Sequence, residues 1–294
     1  MKSKTLLTIK YNPKNWALAF TYKGALLKKL LFGLIFVTAL SSVLYILEVE
    51  DIVHFHLSSA LPGYMGAALG LLLVFRNNTA YDKWWEARKE MGALVNISRN
   101  FAISINGLLP KDSDEKYKIA NLLIGFIFSL KEHLRNGVKM EQLKDIAEED
   151  MKIISNANHK PAVIANIIMN RIEGLWQKGL ITDIQQYLLI GKVNTLIDIL
   201  GKCERIRNTP IPMAYGFLLK FFIYVYVILL PLGLAENLTW WAVPLAGILY
   251  YILMSIVLTA EEIEEPFGHD LNDLAMDDMA NRMKSNILEI VKHD

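Results

Sequence analysis

The sequence predicts an all-α integral membrane protein. Hydrophobic residues make up 53% of its 294 positions. Charged residues make up only 21%, against roughly 25% in an ordinary soluble chain. The apolar residues gather into four runs of spanning length, and the mean hydropathy is +0.28. With 31 Lys and Arg against 30 Asp and Glu, the net charge of +1 lacks the basic excess expected of a nucleic-acid binder. The single cysteine, Cys203, excludes an intrachain disulfide framework.

A hydrocarbon core about 30 Å thick takes roughly 20 residues of helix. Residues 1–29 are dotted with Lys and aromatic side chains and show no signal-peptide cleavage pattern, so they are expected to persist as an N-terminal cytoplasmic segment. The first span, 30–47, carries no charge; nor does the second, 57–75, although Pro62 and several small residues interrupt it. The stretch 208–235, with its span at 210–235, holds a lone Lys220, and the fourth span, 237–260, is again uncharged. The third and fourth form a hairpin. Lys23, Lys28 and Lys29 precede the first span, Arg76, Lys83, Arg88 and Lys89 follow the second, and Arg205 and Arg207 precede the third. The connections 48–56 and Glu236 contain no Lys or Arg. Cytoplasmic loops are enriched in these residues, so both termini, 76–209 and 261–294 are expected on the cytoplasmic side. Lys220 lies early enough in its span to snorkel back toward that side.

The middle of the chain reads as helices. Thr79–Leu109 stops at Pro110, Asp114–Asn136 stops at Gly137, and Glu141–Ser155 opens with an acidic turn. Pro161–Lys178 carries Ile164, Ile167, Ile168, Ile172 and Leu175 at helical spacing, with Gly179 closing it. Thr182 opens a further helix whose Leu and Ile face runs from Ile184 and Leu188 to Leu200. Period-two alternation, repeats, low-complexity tracts and flexible linkers are all missing, so 1–294 is expected to form one continuous domain.

In the second span Leu61, Met65 and Leu69 fall at i, i+4 and i+8, one stripe of a helix. Gly63, Gly66, Ala67 and Gly70 occupy other faces, and Gly66 and Gly70 have the spacing of a close helix contact. The segment from Arg76 to Arg88 suits a helix leaving the membrane, with Tyr81, Trp84 and Trp85 as interfacial anchors. Arg76, Asn77 and Asn78 supply groups able to hydrogen-bond a neighbouring helix. Pro210 and Pro212 imply a bend before the third span, and Cys203 reads as a small buried side chain. Eight carboxylates lie between Glu261 and Asp278. Such a run suits a hard cation, but it equally suits solvent or Arg partners, and its spacing is not that of an EF-hand. Hydrolase, zinc-peptidase, Walker and dinucleotide motifs are missing. His54 and His56 lie two apart without carboxylate or Cys support and read as surface residues. The spans hold no central ionisable pair of the kind a proton-coupled carrier needs, which points to passive conduction.

Leu61-Pro62, Arg76 to Arg88, Cys203 to Pro212 and Glu262 to Asp273 together resemble the bestrophin family of ion channels, specifically its bacterial branch, over nearly the whole chain. The resemblance implies a homopentamer in a bacterial inner membrane, with four membrane helices per subunit continuing into a helical cytoplasmic body around one axial pore. It places a hydrophobic neck at Leu61, Met65 and Leu69 and a cytoplasmic aperture at Ile184. The aromatic neck rings of animal members are replaced by Leu and Met, which remove a field favouring anions. At the calcium clasp of animal members, His269, Leu271 and Asn272 replace acidic residues and leave Asp270 and Asp273. No cofactor is firmly implied, and a calcium site there is incomplete. The expected activity is passage of small monovalent ions, cations such as sodium favoured, with a chloride channel as the alternative. Two other classes remain open at this point: a membrane-bound metal-dependent enzyme or carrier using 261–278, and a helical scaffold with a sealed axis.

Overall fold

A computed structural model of the chain describes residues 25–53, 58, 60–110, 113–135, 137–270 and 272–292. Among the described residues there are nine α-helices, two short 3-10 turns and no strand. In chain order the helices are α1 (Ala25–Val49), α2 (Leu61–Leu108), α3 (Asp114–His133), α4 (Glu148–Ser155), α5 (Lys160–Gln177), α6 (Asp183–Asn208), α7 (Met213–Leu238), α8 (Ala242–Glu264) and α9 (Met276–Lys292). The chain divides into two compact units, one holding 25–84 and 210–264 and the other holding 85–209 and 265–292 of the described residues.

In the first unit α1, α7 and α8 pack on one another. Leu30–Val49, Met213–Leu234 and Ala242–Glu264 are long and apolar enough to cross a membrane. Their outward surfaces are apolar too, with Phe32, Ile35, Phe217 and Ile252 exposed, as befits helices whose surroundings are lipid or further copies rather than water. Between them lies a core of Leu30, Val37, Leu219, Ile223, Val227, Tyr250, Met254 and Val257, to which α2 adds Leu69 and Leu73. At Gly33 α1 passes so close to α8 that an added Cβ would overlap the hydroxyl of Tyr250.

Several expected boundaries move. The second apolar run does not make a helix of its own: α2 begins at Leu61 and continues for 48 residues, through the charged segment, to Leu108. Pro62 sits in its first turn, where a missing N–H costs nothing, so the proline starts this helix rather than breaking it. The hairpin turn falls at Thr239–Trp241 instead of Glu236, and Pro244 in the first turn of α8 favours that later restart. Lys220 does not act alone: its Nζ lies 2.7 Å from Glu261 of α8, which supplies a counter-charge.

In the second unit α3 is buried along almost its whole length, from Ile119 to Glu132, between α5 and α9. The expected helix 141–155 is broken into a 3-10 turn, Met140–Leu143, and the short α4. Arg171 of α5 donates to Glu115 of α3 (3.0 Å) and to Glu149 (2.9 Å) and Asp150 (2.6 Å) of α4, and this binds three helices through one guanidinium. Burial alone would favour losing its proton, yet the three carboxylates hold its pKa above the ordinary value. Gly179 closes α5 with φ +68°, a conformation that favours glycine. Thr182 then caps α6 reciprocally with Gln185: Gln185 N–H donates to Thr182 Oγ1 (3.3 Å), and Thr182 N–H to Gln185 Oε1 (2.9 Å). Helix α6 ends at Asn208, and Thr209 before Pro210 leaves the helical region, giving the break that the prolines imply.

Candidate functional site

Arg76 is buried on α2 and ion-pairs with Glu264 at the end of α8. The other oxygen of Glu264 accepts the backbone N–H of Ile211 at 2.9 Å. One carboxylate thus joins α2, α8 and the approach to α7. Of the other residues expected at the membrane interface, Trp84 stacks with Tyr81 at 6.2 Å, Asn77 is half-buried and Trp85 is exposed.

Along α2, Leu69, Leu73, Arg76 and Ala80 are buried at spacings of three and four, which marks one inward face. The expected neck stripe lies on that face. Leu69 is 1% exposed and packs in the core with Leu219, Ile223 and Val227. Half-buried Leu61 and Met65 line a small apolar hollow with Tyr226, Leu229, Leu230 and Gly233 of α7. Leu69 is thus a core residue of its own subunit. The outward face of the same helix carries Tyr64, Ala68, Leu71 and Phe75, with Leu71 58% exposed. Gly70 also faces outward with open space around it, whereas a Cβ on Gly66 would lie 3.0 Å from the Tyr226 hydroxyl. Among the described residues, only Gly66 of that pair meets a helix of its own chain.

Ile184, in the first turn of α6, is 73% exposed, with exposed Tyr187 and Leu188 nearby on the same helix. Beside it Asp183 accepts the indole N–H of Trp176 at 2.7 Å. Cys203 is fully buried; burial, with help from Glu90 and Glu204, pushes its thiol up to about 12, so it is not a reactive thiolate.

The carboxylates of 261–278 do not converge on one point. Glu261 meets Lys220, Glu264 meets Arg76, and Asp277 takes hydrogen bonds from Lys131 (2.6 Å) and Arg135 (2.8 Å). Asp273 is buried and its Oδ2 accepts the N–H of Asp270 at 2.6 Å, while Asp270 itself is exposed. Each of these closes a turn or an ion pair. Leu271, His54 and His56 lie outside the described residues. Among the described residues, the group of metal-ligating atoms that does converge is His133, His159 and Glu204, which sequence reading passed over because the three stand in separate helical segments.

Comparison with known proteins places this geometry. The sequence model of the bacterial/fungal bestrophin family matches residues 8–289. The chain belongs to that family. Among its bestrophin relatives, a voltage-dependent anion channel-forming protein of a Nostoc strain is 37% identical over 79% of this chain and 76% of its own length. The protein YneE of Escherichia coli K12, described in the same words, is 30% identical over 92% and 90%. A crystal structure of a variant bestrophin homolog from Klebsiella pneumoniae superposes with a TM-score of 0.85 at 29% identity, covering 92% of this chain and 99% of that one. This bestrophin is therefore a membrane ion channel and not an enzyme, which closes the metalloenzyme alternative.

Proposed function

We propose that this bestrophin assembles as a homopentamer whose axial pore passively conducts small monovalent ions, cations such as sodium favoured. The observation that carries the reading is the outward stripe of α2. Among the described residues, Tyr64, Ala68, Leu71 and Phe75 form an apolar face that no helix of the same chain covers, on the helix that the family resemblance assigns to the pore. Copies of such a face around an axis make a collar from which water withdraws as it narrows. Exposed Ile184 forms the second constriction, and the neighbouring Asp183, repeated around the axis, concentrates cations there. The enrichment of Lys and Arg at one end of the spans puts both termini on the cytoplasmic side of a bacterial inner membrane.

The names of the Nostoc and Escherichia coli relatives, both voltage-dependent anion channel-forming proteins, favour a second reading, an anion channel. The pairing of Glu261, Glu264 and Asp277 with basic partners also removes part of the acidic field that would favour cations. Reversal potentials in asymmetric NaCl, measured on protein in planar bilayers, decide between them. A potential near the sodium value that moves toward zero in Asp183→Asn supports the cation reading; one near the chloride value replaces it with the anion reading. Absence of current would indicate a sealed assembly and overturn both. Native mass spectrometry of the detergent complex tests the pentamer.

A further inference from the structure

We propose that His133, His159 and Glu204 form a transition-metal site that takes Zn2+. His133 is the last residue of α3, His159 the N-cap of α5, and Glu204 lies near the C-terminal end of α6. Their three ligand atoms lie within 4.8 Å of one another. The Nε2 atoms of His133 and His159 stand 2.7 and 2.8 Å from the same oxygen, Glu204 Oε1, and the two ring centroids are 4.7 Å apart. Zinc bonded at 2.0–2.1 Å in a tetrahedron separates its ligands by about 3.3 Å, so each imidazole nitrogen needs to withdraw only roughly half an ångström from the shared Glu204 oxygen to admit the ion.

Chemistry selects the ion. Two imidazoles and one carboxylate suit Zn2+, and they bind Ni2+ and Cu2+ by the same donors, whereas Ca2+ and Mg2+ require more oxygen. Side-chain exposures of 25% for His133, 43% for His159 and 27% for Glu204 leave room for water at a remaining position. The scaffold is held in advance. Arg207, one turn beyond Glu204, donates to the carbonyls of His133 (2.6 Å) and Arg135 (2.9 Å), and this fixes the end of α3 against α6.

Binding has a local consequence. His159 Nδ1 accepts the backbone N–H of Ala162 at 3.3 Å, so in the metal-free ring the proton sits on Nε2 and points at Glu204. Coordination through Nε2 transfers that proton to Nδ1, which then no longer accepts from Ala162. The metal exchanges one cap at the start of α5 for a bond that joins α3, α5 and α6.

The test uses the full-length protein in detergent after treatment with EDTA. Calorimetric titration with ZnCl2 is expected to show binding at one site per chain, weakened at least about tenfold in His133→Gln and in Glu204→Gln, with no heat from CaCl2. Anomalous diffraction at the zinc edge, on wild-type crystals soaked in ZnCl2, is expected to place a peak between the three side chains, and this readout survives any failure of the variants to fold. Affinity unchanged in both variants, no binding up to millimolar zinc, or an anomalous peak only elsewhere overturns the proposal. Channel current plays no part in these readouts, so the zinc site and the pore reading stand or fall separately.

Discussion

The guanidinium of Arg76 pairs with the carboxylate of Glu264, a residue 188 positions further along the chain. Both side chains are nearly withdrawn from solvent, at 5% and 13% exposure. Glu264→Gln leaves the buried cation without its counter-charge, and it is expected to lower stability by about 3 kcal/mol. Replacing both residues with Met should cost less than the single change, since neither charge is then stranded. Thermal unfolding in detergent measures both; a melting temperature unaffected by Glu264→Gln would show that the pair does not hold α2 to α8.

Leu69 and Leu71 are two positions apart and face opposite ways. Leu69→Ala opens a cavity in the subunit core and is expected to destabilise by about 3 kcal/mol while leaving single-channel current intact. Leu71→Ala should alter current with little change in melting temperature. The reverse pattern, current sensitive at Leu61, Met65 and Leu69 and stability sensitive at Leu71, would return the neck to the inward stripe.

Asp277 links pH to stability. Burial works to raise its carboxyl, but the bonds from Lys131 and Arg135 prevail and bring it from 3.8 to about 2. A depressed folded-state value means that the stabilisation is complete above the unfolded value near 4 and is lost as pH falls through about 2. Because the side chain is 57% exposed, solvent screening limits the effect to about 1 kcal/mol. Wild type should therefore melt above Asp277→Asn at pH 6, with the gap closing between pH 4 and 2. A gap independent of pH over that interval would mean that the charge is not what stabilises.

The crossing at Gly33 admits no side chain. Gly33→Ala drives a methyl into the hydroxyls of Tyr250 and Tyr224, which are themselves 3.0 Å apart, and should cost about 1–3 kcal/mol. Combining it with Tyr250→Phe removes the nearer oxygen and should recover part of the loss. If Gly33→Ala melts like wild type, α1 and α8 are further apart than described.

Much of the architecture was legible because membrane spans are nearly a counting problem. The long apolar runs of α1, α7 and α8 announce themselves by length, since lipid admits few other solutions. The Thr182 cap, the Gly179 stop and the break at Pro210 were legible for a related reason: each depends on residues within a few positions of one another. The neck was not. In α2 aliphatic side chains occupy several faces, so spacing found a stripe but gave no sign of whether it turned inward or outward.

Charge partners were hidden in the same way. Lys220 read as a lone cation until Glu261 came beside it, and the acidic run looked like a candidate ion site until Arg76, Lys131 and Arg135 claimed its members. His133 and His159 stand 71 and 45 positions from Glu204, too far apart for any local pattern to join them.

Composition and local order, then, were enough to settle the membrane class, the helices and their caps, because these follow from the hydropathy and backbone preferences of neighbouring residues. Which face of α2 meets the core, which carboxylate meets which cation, and where two imidazoles share one oxygen emerged only from folding. Each of those depends on helices far apart in the chain being brought side by side, where packing and charge choose among faces that the linear order leaves equivalent.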